Sequence, residues 1–407
     1  MNLTLHLTNK CNLSCEYCFV PRGEERMTRE AAFAAVDFAV KNKSVGDGVL
    51  DVPLNQTAQN QICGLSGTPA PTKASGLLFY GGEPLLEKEL IYDIVDHTKK
   101  ITEKTGHIFY YKITTNGVLL DEEFLKFSRD VNMSVGFSHD GPAQNDCRKF
   151  HGGGGSFDIL EEKIALLLKY QPYAIAMSVM NPETVHKAAS TVKFLFDKGF
   201  RYITLNLNYG GAWTKKHLDI LEREYKKMSD MYIKWTKAEE KFYLSPFELK
   251  ILSHLKGEKY NEDRRLLNKE QPSVAPDGKI YAGSRYVGQP AFIIGDVFTG
   301  IDHEKQKFLY DKGSNPPEPC LDCALKTRCN YVYDSLRQIK VGDDGNRPAE
   351  ITEIASHISP VQCAHEQILA PIADHAAGKL YGGRSALFIH KHYNDLYPVM
   401  SLLEDTN

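Results

Sequence analysis

The chain has 407 residues, 42% of them hydrophobic and 25% charged, as in an ordinary globular protein with room for two or three domains or one large α/β barrel plus an extension. Lys plus Arg number 49 against 52 Asp plus Glu, a formal net charge of -3, which gives no argument for a nucleic-acid partner or an acidic membrane surface. The longest apolar runs, such as 164–168, are far short of a membrane span, and MNLTLHLTNKCN lacks the basic start and apolar core of a secretory signal, so a cytoplasmic protein is expected.

Six β-branched or aromatic-rich runs recur through the first half, at 3–8, 76–80, 111–115, 133–138, 174–180 and 202–208. Between them lie segments of helical periodicity at 28–42, 86–104, 122–129, 157–170 and 183–198, and a charged-and-apolar stretch at 214–241 follows the last strand. Strand alternating with helix six times predicts parallel βαβ units. Right-handed crossovers should curl these into a partial (β/α)6 barrel of the TIM type, an α/β fold whose chemistry collects at the C-terminal strand ends. Residues 44–75 break the rhythm. The stretch is low in charge, carries no aromatic residue, and reads as a surface insertion, either inert or gating substrate. After about residue 245 the pattern changes to a β-hairpin over 273–297 turning at Pro276-Asp277-Gly278. A Gly/Pro/Cys-rich loop follows at 313–329, and the tail from 361 starts as helix. The expected domains are a barrel at 1–240, with the 44–75 insertion, and an α+β extension at 241–407.

Nine cysteines, an odd and clustered set, argue for metal binding rather than a disulfide framework. Cys11, Cys15 and Cys18 follow the first strand with C-x3-C-x2-C spacing. Three soft thiolates suit an iron–sulfur cluster with one iron left open, or a zinc site completed from elsewhere. Cys320, Cys323 and Cys329 form C-x2-C-x5-C, with Cys363 available as a fourth ligand. That set closes a zinc site or fully ligates a cluster, and spacing alone does not choose. Cys63 and Cys147 stand apart and read as a buried small hydrophobe or a loop thiol.

The second strand ends in Gly81-Gly82-Glu83-Pro84, whose glycines let backbone approach a ligand and whose Glu83 can accept from an ammonium. The third ends at Asn116-Gly117 and the fourth at Ser138-His139-Asp140-Gly141-Pro142, polar tips that suit ribose and carboxylate hydrogen bonds or serve only as turns. Arg148 lies just beyond.

C-x3-C-x2-C with Tyr17 before its third cysteine, followed by Gly-Gly-Glu-Pro on the second strand, resembles the radical S-adenosylmethionine (radical SAM) family. The resemblance implies a 4Fe-4S cluster whose open iron chelates S-adenosyl-L-methionine. It implies SAM contacts from Gly81, Gly82, Glu83 and Pro84, ligand roles for Asn116, Ser138 and Asp140, and an arginine near SAM at Arg148. The C-terminal cysteines resemble the SPASM extension or its shorter relative, the twitch domain, common in enzymes that modify ribosomally made peptides. Two departures stand out. Gly283 and Tyr333 occupy positions where the SPASM pattern has further cysteines, so one auxiliary 4Fe-4S cluster is expected rather than two. Sulfatase-maturing relatives carry an Asp after the hairpin cysteine; Ser284 here puts formylglycine formation in doubt.

The implied function is a peptide maturase that cleaves SAM to a 5′-deoxyadenosyl radical, for crosslinking, epimerisation or backbone excision of a precursor peptide. The alternatives are a radical SAM enzyme for a small molecule or cofactor precursor, and a non-catalytic iron–sulfur or zinc protein. An electron donor such as flavodoxin or ferredoxin is implied. With the chain starting at the first strand, a separate leader-recognition protein, or recognition by the C-terminal half, is expected. No general acid or base is assigned, and Tyr281, Arg285, Tyr286 and Tyr331 read as packing.

Overall fold

The computed structural model describes residues 1–42, 74–255, 271–313, 318–329, 339–342, 350–354 and 359–393. Six parallel strands form the barrel wall: β1 (Leu3–His6), β2 (Ala74–Tyr80), β3 (Ile108–Thr115), β4 (Met133–Ser138), β5 (Ile175–Met180) and β6 (Tyr202–Leu207). The helices of the wall are α1 (Arg29–Lys41), α2 (Lys88–Thr105), α3 (Glu122–Asp130), α4 (Phe157–Tyr170), α5 (Ala188–Asp197) and α6 (Lys215–Lys237). Leu3, Leu5, Leu77, Phe79, Val135 and Phe137 are buried in the shared core, on the alternate positions that a half-covered strand gives to its helices. The expected elements are present with small shifts at their ends. Residues 74 and 75, expected in the insertion, begin β2; the rest of that insertion, and Cys63, lie outside the described residues. The fifth helix starts five residues late because 185–187 form a 3₁₀ turn first.

Local chemistry explains where the helices begin and end. Thr28 caps α1 by accepting from Ala31 N, Asp121 caps α3 by accepting from Phe124 N, and Gly106 ends α2 with a left-handed φ of 71°. Thr214 and His217 form a reciprocal capping box at the start of α6.

The second half joins the first through the sheet. After β7 (Tyr243–Leu244), which pairs with β6, the hairpin of β8 (Ser273–Val274) and β9 (Lys279–Tyr281) returns to β1. β8 runs parallel to β1, so the order is β11-β10-β9-β8-β1-β2-β3-β4-β5-β6-β7, with β10 (Ile293–Asp296) and β11 (Gly300–Ile301) outermost. The hairpin turns at Pro276-Asp277-Gly278 as expected, Gly278 N donating to Ala275 O at 3.0 Å with φ 86°. Beyond it come α7 (His303–Gly313), the two-stranded ribbon of β12 (Ile339–Gly342) and β13 (Glu350–Ile354), α8 (Pro360–Gly382) and α9 (Ala386–Tyr393). Among the described residues no helix is long and apolar enough to cross a membrane.

One buried charge pair holds α9 against the barrel. Lys391 donates to the carboxylate of Glu248 and to Phe242 O (2.6 Å), while Tyr232 of α6 donates to Glu248 at 3.1 Å. Burial pushes Lys391 down and Glu248 up, and each opposes the other's shift. Lys391→Met strands the carboxylate, so it should cost about 3–5 kcal/mol in urea unfolding, and adding Glu248→Gln should recover part of that. An unchanged midpoint for the single variant would mean the pair contributes nothing.

Candidate active site

The C-terminal strand ends open into a cavity of about 1160 Å3. Cys11, Cys15 and Cys18 line it together with Tyr17, Gly81, Gly82, Asn116, Ser138 and Arg148. Nine of the residues singled out from sequence therefore meet around one space, although the chain separates the first from the last by more than a hundred positions.

The cysteine loop is fastened on two sides. On one, Gly82 N donates to Thr8 O (2.7 Å) and Glu83 N to Lys10 O (2.9 Å). A Cβ on Gly81, whose φ is 134°, would lie 2.4 Å from Thr8 O, and one on Gly82 would lie 2.1 Å from Lys10 O. The paired glycines are thus required first by the close approach of β2 to the loop backbone. On the other side, Ser14 N donates to Lys149 O (2.7 Å), Glu16 N to Cys147 O (3.1 Å), and the His151 ring meets Cys11 O at 2.9 Å. Cys147 itself is buried, its sulfur accepting from Asn181 Nδ2 at 3.4 Å, as expected of a structural thiol.

Three expected ligands, Glu83, Pro84 and Asp140, are not among the residues lining the cavity. Glu83 is fully buried, and its carboxylate accepts from Leu85 N (3.0 Å), the Thr115 hydroxyl (2.7 Å) and Asn116 N (2.8 Å). It joins the ends of β2 and β3. Pro84, also buried, starts the 3₁₀ turn that Glu83 caps. Asp140 likewise sits behind the wall. It accepts from Tyr17 Oη, Arg148 Nε (2.8 Å), Ser178 Oγ (3.0 Å) and Val179 N (2.9 Å). The Arg148 guanidinium lies 5.2 Å above the Tyr17 ring, so Asp140 fixes both residues against the cysteine loop. Asn116 donates to Asn12 Oδ1 (2.7 Å) and stands 3.6 Å from Cys11 Sγ.

Burial pushes Cys11 up to about 12, with Glu83, Cys15 and Cys18 adding to it and the Leu13 amide opposing. Burial also raises Cys15, against the pull of Arg148. Such a donor set fits a cationic cluster, whose binding would displace the protons. Among the described residues no three His, Cys, Asp or Glu side chains converge as one ion requires. A cubane asks for wider spacing, because each thiolate binds a different iron.

The second cysteine group lies on the extension. Cys320 and Cys329 are buried, and α8 carries Cys363 to them. Burial raises Cys320 and Cys363, and the nearby Cys323 raises both further. The loop is held from beneath: buried Lys250 donates to Arg328 O (2.9 Å) and to Glu366, and Arg328 makes a two-pronged contact with Asp374 at 2.6 and 2.7 Å. Tyr209, which lines the cavity, has its hydroxyl 3.3 Å from His365 Nδ1 on α8, two residues from Cys363. Tyr331 and Tyr333 lie outside the described residues. Sequence reasoning missed Lys250, Arg328 and Asp374; no spacing links them.

Burial raises Glu83 from 4.5 to about 7, with the Asn116, Thr115 and Leu85 donors opposing. The folded state then holds the proton more tightly than the unfolded chain, and stability attributable to Glu83 falls as pH rises from about 4.5 to 7. Glu83→Gln removes that dependence. Relative to wild type, its unfolding free energy should rise by up to about 3 kcal/mol across the window, measured in urea at pH 5 and 7.5. Parallel pH profiles would contradict this.

The Radical SAM superfamily model matches residues 70–195. An uncharacterised protein of Methanocaldococcus jannaschii is 28% identical over 209 residues, 51% of this chain and 62% of that one. A cysteine-type anaerobic sulfatase-maturating enzyme of Clostridium novyi is 26% identical over 199 residues, 48% of each. The chain thus spans about half to three-fifths of the length of these curated relatives. The structure described as native anSMEcpe with bound AdoMet and Kp18Cys peptide superimposes with a TM-score of 0.69 at 17% identity, covering 94% of this chain and 99% of that one. Residues 70–195 are thus similar to the Radical SAM superfamily, within a partial barrel and C-terminal extension whose fold the chain shares with anSMEcpe.

Proposed function

We propose that residues 1–240 are the catalytic barrel of a radical SAM peptide maturase and that 241–407 are its auxiliary-cluster extension. The observation that carries the reading is the meeting of Cys11, Cys15 and Cys18 with Gly81, Gly82, Asn116 and Arg148 around one cavity at the strand ends. Those three thiolates would hold a 4Fe-4S cluster with one iron free for SAM. Bound there, cluster and SAM would supply radical hydrogen-abstraction chemistry at the cavity.

The chain's own residues orient and enclose. The Gly81-Gly82 backbone and the Ser138 hydroxyl offer polar contacts at the cavity rim, Arg148 offers a cation for a carboxylate, and Asp140 holds Arg148 and Tyr17 in place. Cys320, Cys323, Cys329 and Cys363 would hold one auxiliary 4Fe-4S cluster; with four protein thiolates it has no open iron, which suits electron transfer or structure rather than substrate binding. A peptide substrate is supported by what the relatives are: a sulfatase-maturating enzyme, and a structure holding both AdoMet and a peptide. A flavodoxin or ferredoxin would supply the electron, and a separate protein or the C-terminal half would read a leader.

Anaerobically reconstituted protein with dithionite and SAM should form 5′-deoxyadenosine. Cys15→Ala should reduce it to background. Asp140→Asn leaves the thiols in place but loosens Arg148 and Tyr17, and should slow formation by about 10–100-fold. Equal rates for wild type and Cys15→Ala would overturn the reading.

A further inference from the structure

Among the residues of the six barrel strands one is exposed, and it is Asn206 near the end of β6. Asparagine suits a strand poorly, yet this one stands in the wall of the cavity, in register with Val179 of β5, which lines the cavity beside it. The ladder to β5 continues past it, Asn208 N donating to Met180 O at 2.9 Å, so the backbone that carries Asn206 is fixed.

Other asparagines around the cavity donate to protein oxygens: Asn9 to Glu25 (3.2 Å), Asn116 to Asn12 (2.7 Å) and Asn208 to Asn181 (2.8 Å). Asn206 makes no side-chain hydrogen bond among the described residues, and its carboxamide is open to the cavity. Beside the apolar Met177 and Val179 it presents a donor and an acceptor side by side. An extended peptide residue turns its own N–H and C=O to one side, so a single carboxamide can answer both. The SAM contacts expected from the sequence fall on β2, β3, β4 and at Arg148, whereas β6 stands two strands beyond β4. Just past Asn206, Tyr209 turns to His365 of the extension. That end of the cavity is left for the second reactant.

We propose that Asn206 binds the main chain of the peptide, its Oδ1 accepting from the N–H and its Nδ2 donating to the C=O of one extended residue. The substrate is then selected at that place by backbone rather than by side chain, and an N-methylated residue or a proline is refused there. This rests on the radical SAM peptide maturase reading above and names how the site takes hold of its substrate.

The test uses the full reconstituted protein, SAM, dithionite and acetylated, amidated Gly-Gly-Ala-Gly-Gly deuterated at carbon, together with each of its single N-methyl forms. Deuterium recovered in 5′-deoxyadenosine at limiting peptide is the first readout. Equilibrium binding of SAM without reductant is the second. At least one N-methyl form should deliver about tenfold less deuterium than the parent. Asn206→Leu should lower labelling from the parent by about the same factor, erase the penalty on that N-methyl form, and leave SAM affinity within about twofold of wild type. Asn206→Asp keeps the acceptor and removes the donor, so it should label less than wild type yet retain the N-methyl penalty. Parent labelling unchanged in Asn206→Leu, no N-methyl form impaired, a penalty that persists in Asn206→Leu, or no labelling while 5′-deoxyadenosine still forms would overturn the proposal and leave the maturase reading standing. So would an about tenfold loss of SAM affinity in Asn206→Leu, which would give the carboxamide to the adenine edge. Absence of 5′-deoxyadenosine in every arm would instead overturn that reading.

Discussion

A Cβ on Gly82 would lie 2.1 Å from the carbonyl oxygen of Lys10, so the end of β2 and the start of the cysteine loop can meet only as bare backbone. Hydrogen bonds from Gly82 N and Glu83 N then fix Thr8 and Lys10 at that contact. Everything about the site follows from this closeness. Cys11 is the next residue after Lys10, and Asn116, reached through the buried Glu83, stands 3.6 Å from its sulfur. The opposite end of the loop is held by the 147–149 backbone. The loop is thus stretched between two fixed rails, and three cysteines can be presented from a segment with no regular secondary structure of its own.

Electrostatics act in the same direction. Buried Asp140 is neutralised by Arg148, and the same guanidinium opposes the burial that raises Cys15. Cys11 has no such neighbour; the carboxylate of Glu83 works against its ionisation, and it sits near 12. The protein fixes where the sulfurs stand, and bound iron would supply the charge that ionises Cys11 and Cys15. The extension repeats the scheme. Buried Lys250 and the Arg328–Asp374 contact hold the 320–329 loop against α8, and α8 carries the fourth cysteine.

Much of this was legible in the sequence because it obeys short-range rules. β-branched and aromatic runs located the strands, helical periodicity located the helices, and the cysteine spacings marked both clusters. The side-chain directions were not legible. Glu83 belongs to a motif that pointed to a ligand, yet its carboxylate turns inward because three donors, from Leu85, Thr115 and Asn116, are waiting there. Asp140 turned the same way, toward Tyr17 and Arg148. The paired glycines were read as room for a ligand; they line the cavity and are also room for a neighbouring backbone. Lys250 and Arg328 depend on contacts across 78 positions, which no local pattern records.

The account turns on whether the two cysteine groups hold two separate clusters. The most direct measurement is an anaerobic count of iron and labile sulfide per chain after reconstitution, for wild type and for the Cys11→Ala, Cys15→Ala, Cys18→Ala triple variant. The account predicts about eight iron falling to about four. Wild-type protein without iron, or a triple variant that keeps the full wild-type count, would contradict it.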